Sequence, residues 1–115
     1  MKKLIVLGAG ESGVGAALLG QKQGYDVFVS EQGKIKNKYF EVLLKNGIAL
    51  EEGKHTESKI VQADLVVKSP GISDDSPIVK LIRTKGIPII SEIEFGAQYT
   101  EAVLIGITGS NGKTT

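Results

Sequence analysis

The chain has 115 residues, enough for one compact domain with its own core but too few for two. Hydrophobic residues make up 41% and charged residues 23%, the balance of an ordinary globular domain, and a net charge of +1 argues against nucleic-acid or anionic-membrane partners. No cysteine is present, which excludes a disulfide framework and a thiolate metal site and fits a reducing cytoplasm.

The opening Met1-Lys2-Lys3 and the apolar run after it superficially resemble a secretion signal. The run ends at Gly8 after Leu4–Leu7, too short for the hydrophobic region of such a signal. No stretch of the sequence is long and apolar enough for a membrane span. The expectation is a cytoplasmic protein.

Lys3–Gly8 is a continuously apolar, β-branched segment, as a strand buried on both faces requires. Ser12–Gln23 follows with helical spacing of Val14, Ala17 and Leu18, and Gly24 stands where a helix C-cap is expected. Tyr25–Glu31 reads as a second strand, Tyr39–Asn46 as a helix closed by Gly47, and Ile48–Leu50 as a short third strand. Leu65–Lys68 is a fourth strand, broken at Pro70-Gly71. Pro77 then opens a helix whose apolar face carries Ile78, Leu81 and Ile82, and Gly86 ends it. Ile87–Ile90 is the next strand, Ser91 and Glu94 have capping-box spacing, and Ala102–Thr108 reads as the last strand. Strands and helices in strict alternation predict a single α/β domain, a Rossmann-like, doubly wound parallel sheet of about five strands.

Two glycine-rich loops stand out. Gly8–Gly13, "GAGESG", matches G-x-G-x-x-G between a strand and a helix. Gly8 permits the tight turn, Gly10 lets a ligand approach the backbone, and Gly13 allows helix and strand to pack closely. A diphosphate suits the helix N-terminus, and Glu31, at the end of the second strand, is positioned for ribose hydroxyls. NAD and a UDP-sugar share these groups, so both remain open on the loop alone. The second loop, "TGSNGKTT", follows the apolar segment Val103–Ile107. Gly109 and Gly112 allow backbone N–H groups to converge on phosphate, Lys113 reaches the terminal phosphates, and Thr114 offers its hydroxyl to Mg²⁺. The usual P-loop spacing calls for glycine at position 107, where this chain has Ile107, so the loop is a variant.

"TGSNGKTT" resembles the ATP-binding loop of the Mur ligases and their folylpolyglutamate-synthase relatives. With "GAGESG", "SPGI" at Ser69–Ile72 and "SEIEF" at Ser91–Phe95, the order of motifs resembles the branch of the Mur ligase family that adds D-glutamate to UDP-N-acetylmuramoyl-L-alanine in peptidoglycan synthesis. The resemblance covers the whole chain but only the first domain of the family. It implies a UDP-substrate-binding domain at residues 1–107 and the start of an ATP-binding domain at residues 108–115, so that this piece alone is inactive. Gly8, Gly10, Glu11, Ser12 and Gly13 would lie against the substrate diphosphate, and Glu31 and Gln32 near uridine, where some members carry Asp followed by Thr and Arg. Ser69, Pro70, Gly71 and Ile72 form either a loop beside the ligand or a plain turn. Gly109, Ser110, Asn111, Gly112, Lys113, Thr114 and Thr115 would hold ATP, with Thr114 a possible Mg²⁺ contact.

In the family, ATP converts the substrate carboxylate to an acyl phosphate, which the D-glutamate amine attacks. The residues for that chemistry belong to later domains, so no catalytic residue is expected here. A monomer without nucleic-acid or membrane partners is expected. Two rival readings stay open: an NAD-binding module, disfavoured by the terminal P-loop, and the L-alanine-adding Mur ligases, which typically have histidine at the position of Asn111. His55, the only histidine, reads as a solvated loop residue without a partner, and Glu51-Glu52 and Asp74-Asp75 as acids in polar turns. The basic stretch Gly33–Lys38 reads as a solvated loop.

Overall fold

Leu4–Leu7 form the middle of the molecule, and the remaining strands add outward from them on both sides. A computed structural model describes residues 2–99. In chain order the elements are β1 (Lys3–Leu7), α1 (Glu11–Lys22), β2 (Asp26–Glu31), α2 (Asn37–Lys45), β3 (Ala49–Glu52), α3 (Glu57–Ile60), β4 (Leu65–Lys68), α4 (Pro77–Thr84) and β5 (Ile89–Ser91). Residues 92–99 are helical. The five strands form one sheet in the order β3-β2-β1-β4-β5, with every pairing parallel. This is the expected α/β architecture. The expected strand at Ala102–Thr108 and the second glycine loop lie outside the described residues.

The uninterrupted apolar character of β1 follows from its position, because a central parallel strand is covered on both faces. Leu4 and Val6 face one side and join Val27, Val29 and Val67 of the neighbouring strands under α1, α2 and Phe95. Ile5 and Leu7 face the other side and pack with Val66 under Ile60 of α3 and Ile78, Val79 and Ile82 of α4. Burial of each such side chain stabilises the fold by roughly 1.5–3 kcal/mol. Phe95 is fully buried and meets Tyr25 and Tyr99 edge to face, at centroid distances of 6.1 and 5.4 Å.

Local signals mark the element ends. Gly24 follows α1 with φ of 93°, a left-handed conformation that side chains resist. Pro77 begins α4, where its missing N–H costs no hydrogen bond. Ser91 and Glu94 form a reciprocal capping box: Ser91 N–H donates to Glu94 Oε1 at 3.2 Å, and Glu94 N–H donates to Ser91 Oγ at 3.0 Å.

Two expectations are corrected. Glu51 and Glu52 are not in a turn but in β3, which extends two residues beyond Leu50. A four-residue helix, α3, then covers the sheet directly after His55 and Thr56, in a region read as loop.

Candidate functional site

The chain runs from β1 to β2 and β3 on one side of the sheet, then crosses back to β4 on the other side of β1. The helices that follow β1 and β4 cover opposite faces of the sheet, so the carboxyl ends of these two strands form the switch point where such sheets place a ligand crevice. The loop after β1 holds Gly8, Gly10, Glu11, Ser12 and Gly13, and the loop after β4 holds Ser69–Ile72. The fold thus brings together segments about sixty residues apart in sequence.

Gly8 has φ of 102°, and a Cβ there would stand 2.7 Å from Ser69 Cβ, so the two loops touch only because this residue lacks a side chain. A Cβ on Gly13 would come 2.1 Å from the Gly8 carbonyl oxygen, so α1 also sits directly against the loop. Gly10 is different. It is the N-cap of α1, with no side-chain cap, and a Cβ there would meet nothing within 4 Å. The space beside Gly10 is open, while the first-turn N–H groups of Glu11, Ser12 and Gly13 have no partner within the helix. Glu11 and Ser12 are exposed and Gly13 is buried.

Glu31 fastens this loop from the side. Ala9 N–H donates to Glu31 Oε1 at 2.7 Å, and Gly33 N–H donates to Oε2 at 2.9 Å. Its carboxylate thus holds one backbone donor on each oxygen, with acceptor capacity to spare. Ser69-Pro70-Gly71-Ile72 is a turn, closed by Ile72 N–H donating to Ser69 O at 3.1 Å. Lys68 Nζ braces it from below by donating to Ile72 O at 2.7 Å, and also lies 3.6 Å from the Asp74 carboxylate. The segment is thus a turn at the end of β4, as one of the two readings from sequence had it.

Two groups beside the crevice escaped the sequence reading. Glu92, from the "SEIEF" segment, is only 8% exposed, and its Oε2 lies 3.2 Å from where a Gly13 Cβ would be. Burial raises its pKa above the ordinary carboxylate value, and the charge of Lys68 opposes that shift. The second group is a buried network at the ends of β2 and β3. Ser30, fully buried, approaches Glu51 Oε2 at 2.8 Å and His55 Nδ1 at 2.6 Å. Thr56 donates to the Glu51 carboxylate from its backbone N–H at 2.7 Å and from its hydroxyl. Burial alone would raise the Glu51 pKa, but the hydrogen bonds from Thr56 and Ser30 and the charge of Lys59 outweigh it and lower the value. Burial lowers the His55 pKa, against the pull of Glu51 and Glu31. His55 is thus not the solvated, partnerless residue expected from sequence. A polar stretch gives no local sign of a hydroxyl 25 residues earlier.

His55 and Gln32 line a cavity of about 480 Å³ whose opposite wall is Ile72, Ser73 and the start of α4. It adjoins the "SPGI" turn, so Gln32 and Ile72 meet there although forty positions separate them. The arrangement offers open space before the α1 N–H groups at Gly10 and a mostly apolar hollow on the far side of Ile72, whose side chain reaches towards Gly8. Gly109–Thr115 lie outside the described residues. Among the described residues there is no acidic or histidine cluster able to hold a metal, and no helix long and apolar enough to cross a membrane.

The family model described as the MurD N-terminal domain matches residues 3–78. A UDP-N-acetylmuramoylalanine–D-glutamate ligase of Christiangramia forsetii is 58% identical over 99% of this chain and 26% of its own length. The ligase of the same name from Bacteroides fragilis is 59% identical over 100% of this chain and 26% of its own. The chain therefore spans about a quarter of the length of these curated relatives. Among solved structures, a UDP-N-acetylmuramate-alanine ligase of Thermotoga maritima superposes with a TM-score of 0.76 at 24% identity, over 89% of this chain and 23% of that one, a likeness of fold.

Proposed function

The chain belongs to the MurD N-terminal domain family, and from that premise we propose that it binds the UDP end of UDP-N-acetylmuramoyl-L-alanine in an ATP-dependent ligase that joins D-glutamate to it. The observation that carries this reading is the switch-point crevice. Gly8 and Gly13 bring the β1 loop, α1 and the β4 turn together, and Gly10 leaves the space in front of the α1 N–H groups open. A diphosphate is the group those N–H donors suit. The hollow lined by Gln32, His55 and Ile72 has room beside it for a pyrimidine ring.

The "TGSNGKTT" sequence supports ATP as the second nucleotide, with Gly109, Ser110, Asn111, Gly112, Lys113, Thr114 and Thr115 cradling its phosphates and Thr114 contacting Mg²⁺. No residue of the described domain is assigned to bond-making. Its task is to hold one end of the substrate, so that the carboxyl end is presented to groups outside this chain. The protein then works as a cytoplasmic monomer, without nucleic-acid or membrane partners.

The test is a side-by-side titration of the full-length protein with UDP-N-acetylmuramoyl-L-alanine and NADH, together with phosphate release on addition of ATP and D-glutamate. Saturable binding of the UDP ligand and D-glutamate-dependent phosphate release are expected. Saturable NADH binding without binding of the UDP ligand would overturn the reading in favour of a dinucleotide module. Phosphate release dependent on L-alanine instead would assign the chain to the ligases that act one step earlier.

A further inference from the structure

We infer that His55 reads the base of the bound nucleotide, its Nε2 accepting a hydrogen bond from the imide N–H of uracil and so selecting uridine over cytidine ligands. The inference rests on the UDP-binding reading above and adds a specificity residue to it.

The argument starts from the single proton of Ser30. Its hydroxyl lies 2.8 Å from Glu51 Oε2, 3.3 Å from the carbonyl oxygen of Lys54 and 2.6 Å from His55 Nδ1. The first two neighbours only accept, because Glu51 is ionised and a carbonyl carries no proton. If His55 Nδ1 were also an acceptor, the one proton of this fully buried hydroxyl would face three lone pairs. The contact at 2.6 Å is satisfied when Nδ1 carries hydrogen and donates to Ser30 Oγ, which in turn donates to Glu51. In the neutral ring, Nε2 is then the acceptor. Burial keeps the ring neutral by lowering its pKa.

Nδ1 is thus committed to the interior, and Nε2 is the polar atom left to the cavity that the ring lines with Gln32 and Ile72. No hydrogen bond from Nε2 to another described residue is formed. Uracil presents a donor at N3, whereas cytosine presents a lone pair there. A fixed acceptor opposite that position pairs with the first and opposes the second. Ser30 and Glu51 act through His55, as positioning residues that fix its tautomer.

The experiment compares UDP, CDP and 3-methyl-UDP binding to the full-length protein and to its His55→Ala and Ser30→Ala variants. The parent protein is expected to bind UDP about tenfold more tightly than either analogue, the scale of one hydrogen bond made or left unmade. His55→Ala is expected to bring the three ligands to within about threefold of one another, mainly by weakening UDP. Ser30→Ala is expected to narrow the difference in part, because the tautomer is no longer fixed. The parent comparison needs no variant, so misfolding cannot obscure it. Equal affinity of the parent protein for UDP and 3-methyl-UDP overturns this inference alone, as does an unchanged preference in a folded His55→Ala protein. Failure of the parent protein to bind any of the three overturns the UDP reading as well.

Discussion

The Ala9 backbone N–H donates to Glu31 Oε1 at 2.7 Å, tying the first glycine loop to the end of the neighbouring strand. The other carboxylate oxygen holds Gly33 N–H. Glu31→Ala is therefore expected to leave two backbone donors without an acceptor, one of them on a buried residue. Stability should fall by about 1–3 kcal/mol, measured by urea unfolding, with a parallel loss of UDP affinity. Glu31→Gln keeps one acceptor oxygen, so its effect should be intermediate.

The glycines of the same loop separate packing from ligand access. Gly13→Ala drives a methyl into the Gly8 carbonyl and should destabilise the fold by about 1–3 kcal/mol. Gly15→Ala meets nothing and should stabilise α1 by roughly 0.5–1 kcal/mol. Gly10→Ala meets nothing in the protein and loses only the N-cap preference for glycine, so its unfolding midpoint should fall less than that of Gly13→Ala, while UDP-ligand affinity falls because the methyl occupies the approach to the helix N-terminus. An unchanged affinity for Gly10→Ala would remove the diphosphate from that spot.

Acid should weaken the fold in two stages. The folded pKa of His55 is below its ordinary 6.5, so the unfolded chain takes the proton first. Stability should decline as pH falls from about 6.5 until the folded ring is protonated too. Glu51 is held below its ordinary 4.5, so its contribution is complete above that value and is lost as pH falls through the folded value. Glu31 also acts on the ring, and Glu57 lines the same cavity. Denaturant midpoints of the parent and His55→Phe proteins across this range check the assignment: the variant should lack the first stage and retain the second.

Glu92 has the opposite sign. Its folded pKa is raised above 4.5, so the unfolded chain ionises first and stability falls as pH rises through the folded value. At neutral pH the buried carboxylate is a cost. Glu92→Gln should raise the thermal midpoint at neutral pH, and the gain should vanish near about pH 4, where both forms are uncharged.

Where the sequence was informative, a local physical signal existed. The β-branched runs of β1, β2 and β4, Pro77 at the start of α4 and the Ser91–Glu94 box each declare themselves within a few residues. The glycine spacing likewise predicts the tight passage from β1 into α1. β3 reads too short in the sequence because it is an edge strand with acidic residues at its end, and α3 is too brief for any periodicity. The Ser30–Glu51–His55 network was invisible for a different reason. Its members are ordinary polar residues that meet only because β2 pairs with β3, setting Ser30 opposite Glu51. Spacing places Glu31 at the end of β2, but it carries no sign of the backbone N–H groups that its carboxylate holds.

The central position of β1 divides the crevice into parts of unequal plasticity. Its floor hangs from a strand gripped on both flanks, so any reshaping there disturbs the middle of the sheet. The rim at Gln32 and Ser73 lies in loops past the ends of β2 and β4, one strand further from the centre, where side chains can be exchanged without a clash against the β1 backbone. Efforts to retarget this domain to another nucleobase should therefore redesign the rim and leave the glycines alone.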